Sequence, residues 1–315
     1  GEPVSNVSVS LIGPDGPLVT ATTAGGIYDF QELIGREDYT IDPSHEVYIS
    51  HSHGVSTFDL VLITRYILGL DLLGSPYQYL AADANGDEDV SVQDIIAIRR
   101  LILGLDDAYQ SNSAWRFVDA NFILPVNTNP WATSFSEVVN INNLEGSVRY
   151  ADFIAVMIGD VSGNDPNGLI NDGDTPRSGR ASLEASELEM TAGETYEIVI
   201  SASEAAELSG LQGTVSLTDD VLILGVISGQ LSAGHFNTES LDRGRLAFSY
   251  DKAIVVNEPL ITLQVKALND SRLSDVLSIS SDLVRAEGYT TANDIVDLHV
   301  VFVNDEQGSE TVRLF

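Results

Sequence analysis

The chain is predicted to be mainly β with a small α segment, and three observations carry that reading. Residues 1–43 and 180–304 alternate apolar and polar positions, with Gly, Pro, Asn and Asp between the runs, which is the pattern of half-buried strands. Between these regions two stretches place apolar residues three or four apart (Leu60, Ile63, Ile67 and Ile95, Ile98, Ile102), the spacing of one helix face. Before the second of these helices stands an acidic loop, Asp83 to Asp94, with oxygen-bearing side chains at alternate positions. The predicted organisation is a β-sandwich over 1–46, a loop–helix region with an aromatic loop over 47–178, a second β-sandwich over 179–304 and a tail over 305–315.

The first strands are carried by Val7, Val9 and Leu11, then Val19 to Thr22, Tyr28 to Phe30 and Tyr39 to Ile41, with Gly13-Pro14-Asp15-Gly16, Gly25-Gly26 and Gly35 as turns. This order resembles the prealbumin-like, CnaB-type modules of bacterial surface proteins. The resemblance implies a sandwich lacking its opening strand, which leaves unpaired backbone and an apolar groove that something must cover. Some members of that family hold an internal Lys–Asn isopeptide; the only lysines here are Lys252 and Lys266, so this domain cannot form one.

The loop–helix region repeats itself at an offset of 35 residues. Val55-Ser56-Thr57-Phe58-Asp59-Leu60 aligns with Val90-Ser91-Val92-Gln93-Asp94-Ile95, and Arg65 to Leu70 with Arg100 to Leu105. Each helix stops at a glycine suited to a left-handed C-terminal position, Gly69 or Gly104. In the second loop, Asp83, Asn85 and Asp87 at the first, third and fifth positions, the Asp89 carbonyl at the seventh and Asp94 at the twelfth can surround one hard cation at ~2.3–2.6 Å. The reading is a Ca2+ site, with an acidic turn as the plainer alternative.

Such paired loop–helix units resemble dockerins, calcium-binding modules that plug into cohesin domains. The resemblance places Glu88 where the family usually has Gly. It also puts Tyr48, Ser50 and Ser52 where the first loop should have ligands, so that only Asp59 survives there as a carboxylate. The family's partner-contacting places are Thr57-Phe58 and Val92-Gln93, an unlike pair better suited to packing within one chain. The loop then reads as a clamp in a rigid connector between β-domains. His45, His51 and His53 cluster in the degenerate loop, as a transition-metal site or as solvated histidines.

After the helices come Trp115-Arg116-Phe117-Val118-Asp119 and an Asn/Pro-rich stretch through Trp131, read as a packed aromatic loop. Gly146 to Val156 is expected to repeat the loop-to-helix signature a third time, with Asn143 and Glu145 as weak ligands. Asp160, Ser162 and Asn164 restart the first–third–fifth pattern, so a second calcium site is expected there, or else an Asx-rich linker. Taken together these modules resemble extracellular multi-domain proteins of the Bacteroidetes type.

The strands of 180–304 resemble cohesins and related carbohydrate-binding sandwiches in Ala192-Gly193-Glu194, Gly210 to Val215, Val226 to Gly229 and Gly244 to Ser249.

Composition bounds the function. Lys and Arg number 15 against 47 Asp and Glu, a net charge of −32 that repels nucleic acid and anionic membranes and attracts divalent cations. A 43% apolar content argues for folded domains and against an acidic disordered chain. Cysteine is absent, removing disulfides and thiolate chemistry. No apolar run reaches the ~18 residues needed to span a bilayer, and no signal peptide stands at Gly1, so the chain reads as a mature or trimmed product. There is no nucleophile elbow, phosphate loop or zinc helix, and no enzyme activity is expected. Asn6-Val7-Ser8 and Asn269-Asp270-Ser271 permit glycosylation.

The tail ends in the alternating run Glu310-Thr311-Val312-Arg313-Leu314-Phe315. Val312 and Leu314 of one copy are expected to fill a groove beside Val7, Val9 and Leu11 of the next. A contact that does not close on itself gives an open filament. The expected function is an extracellular, calcium-stabilised subunit that self-assembles head to tail. The alternative is a cohesin/dockerin-type scaffold or a carbohydrate-binding adhesion module, with polysaccharide as partner and Trp115 and Trp131 as the aromatics that would meet it.

Overall fold

The computed structural model of the chain describes residues 3–45, 54–125, 129–163, 177–202 and 208–304. It is mainly β with a few short helices and divides into two compact units, Gly1–Leu101 with Asp107–Asn171 and Ile102–Asp106 with Asp172–Phe315.

The first unit contains β1 (Ser8–Gly13), β2 (Gly16–Ala21) and β3 (Tyr39–Ser44), then α1 (Thr57–Ile67), α2 (Pro76–Ala82) and α3 (Val92–Ile102), the last turn of which reaches the unit boundary. They are followed by β4 (Trp115–Asp119), β5 (Val139–Ile141) and β6 (Phe153–Met157). Gly13-Pro14-Asp15-Gly16 closes the β1–β2 hairpin, with Gly13 opposite Gly16. The sheet runs β2-β1-β3-β5, and among the described residues β4 pairs only with β6. The residues that alternate along β1 and β3 (Val9, Leu11, Tyr39, Ile41) turn a buried face inward.

Helix α1 starts where Ser56 accepts from the Phe58 N–H while Asp59 reaches back to the Ser56 N–H, a capping box, and Gly69 at φ +68° follows its end. The helix α2 is not among the expected elements. Its signal is Ser75-Pro76, a capping serine followed by proline at the first helical position.

Two expectations are corrected here. Gly146 to Val156 does not lead into a helix: Phe153–Met157 is the strand β6, because its aromatic and branched side chains pair along the whole of β4. Tyr28 to Phe30 lies outside any strand, and the Tyr28 hydroxyl donates to the Ala151 carbonyl. The N-terminal sheet also draws a strand from far along the chain, since β5 pairs with β3 with Tyr39 opposite Ile141.

The second unit contains β7 (Arg180–Ser186), β8 (Glu189–Met190), β9 (Thr195–Ala202), β10 (Leu208–Leu217), β11 (Val221–Ser228), β12 (Phe236–Asn237) and β13 (Arg245–Tyr250). It continues through β14 (Pro259–Ala267), β15 (Ser271–Arg272), α4 (Leu273–Val276), β16 (Leu277–Ser280), β17 (Glu287–Thr290) and β18 (Ile295–Val303). Nine of the strands follow the order β11-β14-β9-β7-β18-β17-β10-β13-β12, and β16 joins β10. One apolar core takes residues from both ends of that path, Ile223 of β11 and Phe236 of β12, so the sheet curls over itself into two layers. The β7–β18 pair is parallel. Near that pair Arg177 meets Asp297 at 2.5 Å and the buried Glu287 at 3.2 Å.

Candidate functional site

The loop between α2 and α3 is held by its own carboxylates. Asp83 is fully buried and accepts from the N–H groups of Gly86 at 2.8 Å, Asp87 at 3.0 Å and Glu88 at 3.1 Å. Asp94, also fully buried, accepts from the Asn85 N–H at 3.1 Å and from Ser91 through its N–H at 2.8 Å and its hydroxyl at 3.2 Å. Asn85 and Asp87 are tied together, the Asn85 amide donating to Asp87 Oδ2 at 2.8 Å. Asp87 Oδ1 in turn accepts from the Asp89 N–H at 3.1 Å. Glu88 adopts φ +67° at the place where a glycine would be free of strain, which costs of the order of 1 kcal/mol.

Asp160 and Ser162 are the residues expected either to begin a second site or to lie in an Asx-rich linker. They rebuild the start of the same loop, and the carboxylate that completes it is Asp59, from the head of α1. Gly163 N–H donates to Asp160 Oδ1 at 2.8 Å, as Gly86 does to Asp83. Ser162 N–H donates to Asp59 Oδ1 at 2.8 Å, as Asn85 does to Asp94. Ser56 donates to Asp59 Oδ2 through its N–H at 2.8 Å and its hydroxyl at 3.3 Å, as Ser91 does to Asp94. Phe58 N–H caps onto Ser56 Oγ at 3.2 Å, as Gln93 does onto Ser91 at 3.1 Å. Val161 N–H bonds to the Gly159 carbonyl at 3.2 Å, as Ala84 does to Ala82 at 3.0 Å, and Ala84 and Val161 are both fully buried. Two half-loops separated by 103 residues therefore share the wiring of one continuous loop.

The electrostatics of the two places match. Burial first, with the charge of Asp94 adding to it, pushes the Asp83 carboxyl up to about 6, against the pull of its backbone N–H partners. Asp94 is raised mainly by burial. Asp59 is raised by complete burial and then by the charge of Asp160. Neither Asp83, Asp94 nor Asp59 forms a salt bridge among the described residues.

Buried carboxylates facing one another favour a proton or a cation between them, and an all-oxygen donor set suits a hard ion such as Ca2+. The residues present fit that ion. Asp83, Asn85, Asp87 and Asp94 with the Asp89 carbonyl would hold one ion, and Asp160, Ser162 and Asp59 a second. Among the described residues no three His, Asp or Glu side chains already close on a single point. Asn164 lies outside the described residues, as do Tyr48, Ser50, Ser52, His51 and His53. His45 lies edge-on to Trp115 at 5.3 Å between ring centres, and burial lowers its pKa.

Without added metal, the sign of these shifts gives a testable pH dependence. A carboxyl raised from 3.8 to about 6 in the native state binds its proton more tightly than in the unfolded chain. Stability should therefore fall as pH rises through that window, and the −32 net charge acts in the same direction. Urea denaturation of metal-free chain should give higher stability at about pH 5 than at about pH 7, and saturating calcium should reverse the order because the ion requires ionised carboxylates.

The first unit also carries an open groove of about 780 Å3. Val7 and Val9, the expected interface residues, line its floor, and Leu11 is buried on the same strand. The strand β1 is interior to its sheet, bonded to β2 on one edge and β3 on the other, so its side chains and not its backbone meet the groove. Trp115 lines the groove too; it is 5% exposed and its indole N–H has no partner among the described residues. Val312 and Leu314 lie outside the described residues.

No protein-family model matches the chain, and no curated protein matches it. Among solved structures, the chain is similar to a non-cellulosomal cohesin from the archaeon Archaeoglobus fulgidus at 11% identity, over 41% of this chain and 94% of that one, with a TM-score of 0.29. A type I cohesin from Pseudobacteroides cellulosolvens matches at 9% identity over 43% and 99% of the two chains, with a TM-score of 0.29. A type II cohesin domain from the cellulosome of Acetivibrio cellulolyticus matches at 14% identity over 41% and 93%, with a TM-score of 0.29. Among the described residues, no helix is long and apolar enough to cross a membrane.

Proposed function

We propose that this chain is a non-catalytic, calcium-braced structural subunit of an extracellular assembly, joined head to tail to further copies of itself. The observation that carries the calcium part is the repeated wiring: Asp94 and Asp59 accept the same three donors from equivalent positions, each beside a second carboxylate, Asp83 or Asp160. Fixed oxygens of this kind brace a fold when an abundant ion occupies them, and calcium is abundant outside cells. The assembly part is supported by the groove beside Val7 and Val9, a cleft in a sheet-bearing unit that added backbone would close. Trp115 is buried and offers no open ring face to a sugar, so the polysaccharide reading draws no support from it.

Two measurements test the proposal. Equilibrium dialysis against calcium should find two ions per chain, and none at millimolar concentration would sink the calcium part. Electron microscopy of the purified chain in calcium should show filaments or ordered arrays. A dispersed monomer at every concentration would sink the assembly part.

A further inference from the structure

The groove has one wall made of strand edge, and the register of the β4–β6 hairpin identifies the groups on it. Trp115 stands opposite Met157 and Asp119 opposite Phe153. Just beyond the ladder's two ends, the Ile158 N–H donates to the Ala114 carbonyl and the Ala120 N–H to the Asp152 carbonyl. In an antiparallel pair the bonded residues alternate, so the even-numbered residues of β6 turn their N–H and C=O groups toward β4. Phe153, Ala155 and Met157 turn theirs the other way, where among the described residues no hydrogen bond meets them.

The lining of the groove points to the same edge. All five residues of β6 line it, whereas β4 contributes only Trp115 and Phe117, alternate residues on one face. A strand contributes every residue when its edge faces a cavity and every second residue when its face does. Val7 and Val9 lie across from it on the inner face of the other sheet. The missing piece is thus one strand beside β6, laid over β1. Trp115 adds an unpartnered, deeply buried N–H on the same wall.

We infer that the edge of β6 left unpaired among the described residues is the acceptor for residues 310–315 of a second copy, which add as a strand and place Val312 and Leu314 over Val7 and Val9. The inference rests on the head-to-tail reading and names its contact. The alternation suits a site with one apolar face. The charge suits as well: Arg313 enters a groove bearing Asp152.

The chain has no cysteine, so one engineered pair reports unambiguously. The 315-residue chain carrying both Ala155→Cys and Leu314→Cys, mildly oxidised, should give a ladder of covalent multimers on a non-reducing gel. A cross-linked monomer without a ladder would show the chain filling its own groove, and absence of any disulfide would show another occupant; either overturns the inference. A second variant removes the outward N–H alone. Ala155→Pro should reduce multimer formation by at least about tenfold with an unchanged thermal transition, because proline is tolerated on a free edge, while Ala155→Gly should assemble normally. Normal assembly by Ala155→Pro would refute the β6 contact. If wild-type chain forms filaments but these contacts fail, the acceptor is wrong and the assembly reading stands; if wild-type chain never assembles, the reading itself fails.

Discussion

In saturating calcium, Asp94→Ala is expected to lose about 4 kcal/mol of stability, the contribution of a ligand held at roughly a thousand times its dissociation constant. The substitution removes the carboxylate that joins the loop to α3, so the Asn85 and Ser91 N–H groups lose their acceptor together with any ion. Excess EDTA should bring the wild-type chain down by more than that, because it strips both ions, and should lower Asp94→Ala only by the share of the Asp59 and Asp160 site. Asp94→Asn separates the two effects, because the amide oxygen still accepts a backbone N–H but carries no charge. It should keep most of its EDTA-state stability and lose this loop's share of the response to calcium. Thermal denaturation followed by circular dichroism, with and without calcium, checks all three chains. An equal calcium response in Asp94→Ala and wild type would remove the ion from this loop.

Gly159→Ala is expected to cost about 3–5 kcal/mol, combining backbone strain with an overfilled core. Gly159 sits at φ +94°, and a Cβ there would lie 2.3 Å from the Tyr109 hydroxyl and 3.0 Å from a Val55 methyl. Neither neighbour can withdraw cheaply. Tyr109 is buried and donates to the Ile158 carbonyl at 3.1 Å, and Val55 is the buried residue just before the Ser56 cap. The same glycine donates to the Ala81 carbonyl at 2.7 Å, fixing the point from which Ser162 reaches Asp59. Gly163→Ala is the matched control. It has φ +63° but no described residue within 4 Å of the added carbon, so about 1 kcal/mol is expected. Urea unfolding of both variants measures the contrast, and equal losses would mean that the packing around Tyr109 yields.

What could be read from the sequence was set by distance along the chain. The Asp83–Asp94 loop has its oxygens inside one short window and its helix directly behind, so spacing alone pointed to it. The second clamp was visible only as two fragments: a twelfth-position carboxylate, Asp59, without a loop in front of it, and a first–third pattern, Asp160 and Ser162, without a helix behind it. Each fragment lacked what the other supplied, and that complementarity was the one local hint of their union. The strand β6 reads as a helix in the sequence for a related reason. Gly146 to Val156 carries the same loop-to-apolar signature as the helices, but pairing with β4 decides its conformation, and pairing is not a property of the segment itself. The short strand β5, which pairs with Tyr39 to Ile41 from far downstream, had no periodic signal at all.

The union of Asp59 with Ser162 also has a mechanical consequence. The contact closes a loop of 103 residues, so a load applied to the two ends of this unit passes through the clip and bypasses α1, the acidic loop and the β4–β6 hairpin. While the clip holds, those elements feel no tension. When it opens, roughly 340–370 Å of contour becomes available at about 3.3–3.6 Å per residue. An ion bridging the two halves would then set the force at which that reserve is released, making the unit an extensible link whose yield point follows the calcium concentration around it.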